Sequence, residues 1–113
     1  MANRCLEEWV DRLGLQDWTI KFEDCVAPED MILENCSGCT DYVECRKCAK
    51  IQIIDPDSYG KRITPFDFEE TVVHELLHLK FSFLDESGNA LQDRLVHQLV
   101  DDMARALIDA KRP

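Results

Sequence analysis

The sequence predicts an α+β fold in which one domain spans residues 1–113. Strand-type alternation of apolar and polar residues is confined to residues 18–55. Two long segments with helical spacing follow, one from about Pro65 and one from about Ala90. A chain of 113 residues has room for a single hydrophobic core. We therefore expect a short N-terminal helix, a small sheet of two or three strands and two long C-terminal helices.

The N-terminal part predicts one short helix and one half-buried strand. Residues 3–13 carry apolar side chains at helical spacing, and Gly14 follows as a helix stop. Trp18, Ile20 and Phe22 then alternate with polar residues, which is typical of a strand with one buried face.

The middle of the chain predicts loops and one clear strand. Residues 27–41 contain Pro, Asn and Gly and are expected to be mostly loop, with a short second strand at 42–45. Residues 49–55, AKIQIID, alternate cleanly and predict the best-defined strand. DPDSYG, residues 55–60, has the composition of a turn.

The C-terminal part predicts two helices. Thr64 is a good N-cap with Pro65 at the first helical position, which predicts a helix from about Pro65 to Leu84. ESGN, residues 86–89, breaks it. A last helix is expected from about Ala90 to Lys111, and its main apolar stripe is predicted to be Leu91, Leu95, Leu99, Met103 and Leu107.

The net charge excludes some function classes. The formal charge of −10 argues against nucleic acid and against anionic membrane surfaces, because both need clustered Lys and Arg. The N-terminus is charged and amphipathic, and no apolar run reaches the length of a membrane span. The sequence therefore predicts a cytoplasmic protein. It specifies no oligomeric state.

The most informative motif is HELLH, residues 74–78. On a helix, His74 and His78 project from one face on successive turns, which is the separation at which two imidazoles share a tetrahedral zinc ion. Glu75 lies beside them and is a candidate general base for a zinc-activated water. The alternative is a buried core helix, since the neighbouring residues are apolar. Metal binding is the preferred interpretation because burying two histidines and a glutamate without partners is costly.

The next helix is expected to supply the remaining ligand. It contains no glutamate, but it contains His97, the third histidine of the chain. An antiparallel helix pair would bring His97 to HELLH, and three histidines form a sound zinc site. Asp93 and Asp101 lie about one turn on either side of His97 and could orient its imidazole or ligate directly. A site without a ligand from this helix is the remaining alternative.

The cysteines suggest a second, structural metal site. Cys36, Cys39, Cys45 and Cys48 form two C-x2-C pairs, the repeating unit of structural zinc sites. The segment between the pairs is shorter than in a usual zinc ribbon. Reduced thiols and disulfides are the alternatives. The other two cysteines, Cys5 and Cys25, are expected to be buried as small apolar residues.

Several segments together resemble a known family. LGLQDW before a strand, the AKIQIID strand, TVVHELLHLKF and a helix ending in MARAL are similar in order and character to small phage- and prophage-associated metallopeptidases of the minimal gluzincin type. The resemblance implies a minimal zincin-like fold and a zinc-dependent peptidase. It carries over His74 and His78 as ligands and Glu75 as general base. The downstream glutamate ligand of that family has no counterpart here.

These observations predict a zinc-dependent peptidase acting on a peptide or protein substrate. Residues 49–55, if they form a sheet edge above the zinc, could hold an extended peptide as an added strand. One alternative is a zinc-binding regulatory or protein-interaction module without hydrolysis. Another is a structural zinc domain built around the cysteines.

Overall fold

The computed structural model describes residues 2–32, 37–60, 65–87 and 89–112, and it confirms the α+β architecture. The N-terminal helix precedes a three-stranded sheet, and two long helices end the chain. Short 3-10 turns at Pro28–Asp30, Glu44–Arg46 and Ser82–Ser87 join the larger elements. The helices and strands are α1 Ala2–Leu13, β1 Thr19–Val26, β2 Gly38–Val43, β3 Cys48–Ile54, α2 Pro56–Tyr59, α3 Phe68–Lys80 and α4 Ala90–Lys111.

The sheet has the order β1-β3-β2, with β1 parallel and β2 antiparallel to β3. The condition that residues 49–55 form a sheet edge is therefore not met, because β3 is the central strand. β2 was also predicted too late in the chain: it begins at Gly38, inside the segment expected to be loop. A glycine and two polar residues among its first four gave it little strand signal.

The hydrophobic core lies between one face of the sheet and α3. Ala49, Ile51 and Ile53 of β3 point towards the helices and are buried. Six residues of α3 are buried, so this helix is enclosed by the sheet on one side and by α1 and α4 on others. The N-cap is Asp67, whose side chain accepts a hydrogen bond from the backbone N–H of Glu70 at 3.1 Å. The predicted cap, Thr64, lies outside the described residues.

The last helix has the predicted bounds but not the predicted buried stripe. Asn89 caps α4 by accepting hydrogen bonds from two backbone N–H groups, and the helix runs from Ala90 to Lys111. The side chains buried against α3 are Val96, Val100, Ala104 and Ile108. Met103 and Leu107 pack against this core partially. Leu91, Leu95 and Leu99 are exposed, so the expectation that they form the core stripe is wrong.

An ion-pair cluster joins α1 to the start of α3 and the end of α4. Glu69 accepts a hydrogen bond from the Trp9 indole at 2.8 Å and also pairs with Lys111. Arg112 donates two hydrogen bonds to the Asp67 carboxylate, at 2.6 and 3.0 Å. A cavity of about 460 Å³ opens beside this cluster, and none of the three histidines lines it. No helix in the described part of the chain is long and apolar enough to cross a membrane.

Candidate metal centre

Three histidines meet where α3 and α4 face each other. His74 and His78 project from successive turns of α3, and His97 reaches them from α4. The ring centroid of His78 lies 5.0 Å from the ring centroid of His74 and 5.0 Å from that of His97. One nitrogen from each ring falls within 4.8 Å of the others, so the three side chains can hold a metal ion together.

The spacing of the two HELLH histidines fits a tetrahedral ion. Their Nε2 atoms are 3.3 Å apart. Two nitrogens bound to one tetrahedral zinc at about 2.05 Å would be separated by about 3.3 Å. Burial is the main cause that lowers the pKa of His74, and it favours the neutral imidazole, which is the form that binds a metal.

Asp101 lies against His74 rather than against His97. Its Oδ1 atom is 3.7 Å from Nδ1 of His74, the nitrogen that faces away from His78. Its other oxygen accepts a hydrogen bond from Arg105 at 2.5 Å. The donor group brought together among the described residues contains His97 and neither Asp93 nor Asp101. Asp101 is therefore placed to orient a histidine, as carboxylates commonly do around metal sites.

Glu75 points towards the sheet and is nearly fully buried, with 5 % of its surface exposed. Its Oε1 accepts a hydrogen bond from the Thr40 hydroxyl of β2 at 2.6 Å. Burial raises the pKa of Glu75 to about 7, while the hydrogen bond from Thr40 opposes that rise. Gly38 of β2 approaches so closely that an added Cβ would be 3.0 Å from the Glu75 side chain. The strand and the helix therefore fix this carboxyl group together.

The sequence did not indicate the contacts of Thr40 and Gly38 with Glu75. Both residues lay in a segment expected to be loop, and they reach α3 only because β2 packs beside it. Arg105 was missed for the same reason, since its role depends on how α4 faces α3. The sequence predicted that Asp101 could orient the imidazole of His97, whereas in the structure Asp101 lies beside His74.

The cysteines are distributed over the β2–β3 hairpin. Cys39 is buried in β2 opposite Gln52, whereas Cys45 and Cys48 are exposed near the turn. Cys39 lies four ladder positions from Cys48, a separation of about 13 Å along the strands. A four-cysteine site would require these two thiols to lie much closer together. Cys36 lies outside the described residues, and the four-cysteine site stays a prediction.

The remaining two cysteines differ in environment. Cys5 is half-buried beside the α1–α3 contact, and burial is the first cause that raises its pKa to about 11. Cys25 is exposed and has a φ of 53°, at the irregularity where β1 loses its register with β3. The expectation of a buried thiol is wrong for Cys25.

The chain was compared with known families, curated proteins and solved structures. No family model, curated protein or solved structure matches the chain.

Proposed function

We propose that the protein is a zinc-dependent peptidase with His74, His78 and His97 as metal ligands and Glu75 as general base. The observation that carries the proposal is the convergence of three histidine nitrogens within 4.8 Å. Three neutral imidazoles are a ligand set that zinc uses in catalytic sites, where a fourth position stays open for water. When bound, zinc would supply an acidic water and polarise the carbonyl of the scissile peptide bond.

Glu75 follows the first ligand directly in the sequence, and its carboxyl group is held on the β2 side of the site. The hydrogen bond from Thr40 occupies Oε1 and restricts the rotamer of the side chain. In this role Glu75 would accept a proton from the water at its free lone pairs and deliver it to the leaving amine. Thr40 would keep the carboxylate oriented during both transfers.

The edge strand beside the site offers a way to hold an extended substrate. β2 is at the edge of the sheet and packs against α3 through its Gly38 and Thr40 face. A peptide that added to the outer edge of β2 would extend the strand whose Gly38 and Thr40 contact Glu75, and main-chain hydrogen bonds would hold it irrespective of its sequence. The corrected strand order thus transfers the substrate-holding hypothesis from β3 to β2.

A second candidate is a zinc-binding interaction module without hydrolysis. The burial of Glu75 favours it, because a carboxyl group with 5 % exposure and a fixed partner is less accessible to water than an open general base. In that case the metal would stabilise the α3–α4 contact.

Glu75→Gln separates the two candidates. The amide has nearly the same size and can still accept the Thr40 hydrogen bond, so the fold and the metal content should be retained. For a peptidase we expect cleavage of a peptide library by the zinc-loaded chain and a loss of at least about 100-fold in kcat for the variant. Glu7→Gln, on the exposed surface of α1, is the control and should leave kcat unchanged.

The outcome is read from metal content and cleavage together. Cleavage that survives Glu75→Gln would remove this residue from the role of base. Stoichiometric zinc without cleavage by the wild-type chain would favour the interaction module. Zinc lost in His74→Ala but not in Cys48→Ser would assign the ion to the histidines.

A further inference from the structure

The surface of α4 divides into four rows of residues spaced four apart. The row Val96, Val100, Ala104 and Ile108 is buried against α3. The row that contains His97, Asp101 and Arg105 borders the metal centre. On the opposite flank lies an apolar row, which we call the leucine stripe: Leu91, Leu95, Leu99, Met103 and Leu107.

The leucine stripe is open to solvent over its N-terminal part. Leu91, Leu95 and Leu99 are 61 %, 59 % and 40 % exposed, whereas Met103 and Leu107 pack partly against the core. Three successive leucines on one flank of a capped helix form a contiguous apolar surface, which single scattered exposed residues would not. Covering it would remove a large apolar area from water.

The fourth row carries charged residues that indicate which partner would cover the leucine stripe. Arg94, Gln98 and Asp102 lie on the solvent side of the leucine stripe, with Gln98 between a cation and an anion. The Oδ1 atom of Asp102 accepts a hydrogen bond from Gln98 at 3.1 Å and lies 3.6 Å from Arg105 of the same helix. Among the described residues, Arg94 has no ion-pair partner. If the same row of a second chain runs antiparallel to this one, the cation of each row faces the anion of the other.

We propose that the leucine stripe is a dimer interface, formed by two antiparallel α4 helices around a two-fold axis near Gln98. In this arrangement Arg94 of each copy faces Asp102 of the other. The same alignment brings Leu95 against Leu99 and Leu91 against Met103 across the interface. A parallel arrangement would place like charges opposite each other at both ends. An isologous contact of this kind is the usual form of a homodimer.

The interface leaves the metal centre accessible. The row with His97 is on the opposite flank of α4 from the leucine stripe, so dimerisation and metal binding involve different surfaces. The proposal is therefore independent of the peptidase activity. Two helices bury less area than the roughly 800 Å² per partner of a standard interface, so we expect a dissociation constant of about 1–100 μM.

Sedimentation velocity under reducing conditions, at about 0.15 M salt, tests the proposal, because salt screens the net repulsion between acidic chains. The wild-type chain should shift from monomer to dimer between about 1 and 300 μM. Leu95→Glu should weaken association by at least about 100-fold, because each dimer would bury two unpaired carboxylates. Val43→Glu adds the same charge at a half-exposed position on β2 and should leave association unchanged.

Charge variants test the orientation of the helices. Arg94→Glu and Asp102→Arg should each weaken the dimer by about 10-fold, and the two changes combined should restore it, because they exchange the signs at both ends. Zinc content and far-UV circular dichroism should be unchanged in every variant. A monomeric wild-type chain, a dimer that keeps its affinity in Leu95→Glu, or a combined variant that stays weak would each overturn the proposal.

Discussion

Asp101 connects the metal centre to the surface of α4. Its two oxygens are divided between Nδ1 of His74, at 3.7 Å, and Arg105, at 2.5 Å. A carboxylate in this position favours the tautomer with a proton on Nδ1, which would leave Nε2 free to bind a metal ion. Arg105 restricts the rotamer of Asp101, which lies one turn from His97 on the same row.

Asp101→Asn should lower zinc affinity by about 10- to 100-fold, while the stoichiometry at saturating zinc stays the same. The amide keeps the size of the side chain but loses the charge that stabilises the Nδ1 proton. Competition with a chelating dye would measure the affinity. Asp109→Asn is the matched control, since Asp109 lies two turns further along the same row and is exposed. An equal loss of affinity in both variants would show that general charge, and not orientation of His74, is responsible.

The three histidines could be selected from the sequence because their chemistry is restrictive. His74 and His78 have the spacing of two metal ligands on one face of a helix, and His97 is the third histidine of the sequence. The partners of Glu75 could not be selected, because Thr40 is a common residue type that reaches α3 only through the packing of β2. A metal ligand can be recognised in a sequence by its residue type, whereas a residue that orients a ligand or a base can be recognised only from its position in the folded structure.

At the scale of elements, α4 shows that an apolar row at helical spacing is not always the row that faces the core. The leucine stripe was predicted to be buried, but Leu91, Leu95 and Leu99 are exposed. The residues that face α3 are instead valine, alanine and isoleucine, with Ala104 fully buried. Small and β-branched side chains let the two helix axes approach closely enough for His97 to reach His78. The metal centre therefore depends on which row of α4 is buried.

The contact between the ends of α3 and α4 depends on Asp67. Its carboxyl group caps α3 and binds the Arg112 guanidinium, and this hydrogen bond is the main cause that lowers the pKa of Asp67 below its ordinary value. A carboxyl group with a lowered pKa in the folded state contributes stability above its unfolded pKa. That contribution is lost as the pH falls through the folded value.

Arg112→Gln should therefore lower the free energy of unfolding at pH 7. The difference from the wild-type chain should shrink as the pH falls below about 4, the ordinary pKa of an aspartate, and should be gone once the pH is below the lowered pKa of Asp67 in the folded wild-type chain. Urea denaturation followed by circular dichroism across this pH range measures the effect. Arg46→Gln removes an exposed arginine in the β2–β3 turn and serves as the control. A difference that persists unchanged at pH 2 would show that Arg112 acts through packing and not through the carboxylate.

For the whole molecule, the candidate metal centre and Glu75 depend on three different elements. The edge strand β2 fixes Glu75, α3 supplies two histidines, and α4 supplies the third. The order of the elements followed from periodicity in the sequence, but α3 extends from Phe68 to Lys80 after the cap Asp67, and not from Pro65 to Leu84 as predicted. The pairing order of the strands did not follow from periodicity, because alternation describes one strand and carries no information about its neighbours. β3 is therefore the central strand and not the edge on which the peptide-holding hypothesis depended, although its predicted bounds were nearly correct.

A metal bound by two helices should stabilise the entire domain, because the helices separate when the chain unfolds. We expect zinc in excess to raise Tm by at least about 10 °C, corresponding to about 2.7 kcal/mol at a concentration 100-fold above Kd. His97→Ala should lose most of that increase while its metal-free Tm changes little, since His97 is exposed in this structure. Gln98→Ala, the adjacent exposed position, is the control and should gain as much from zinc as the wild-type chain. Differential scanning calorimetry with zinc or with a chelator measures both. A full increase in His97→Ala would mean that His97 is not a ligand of the ion.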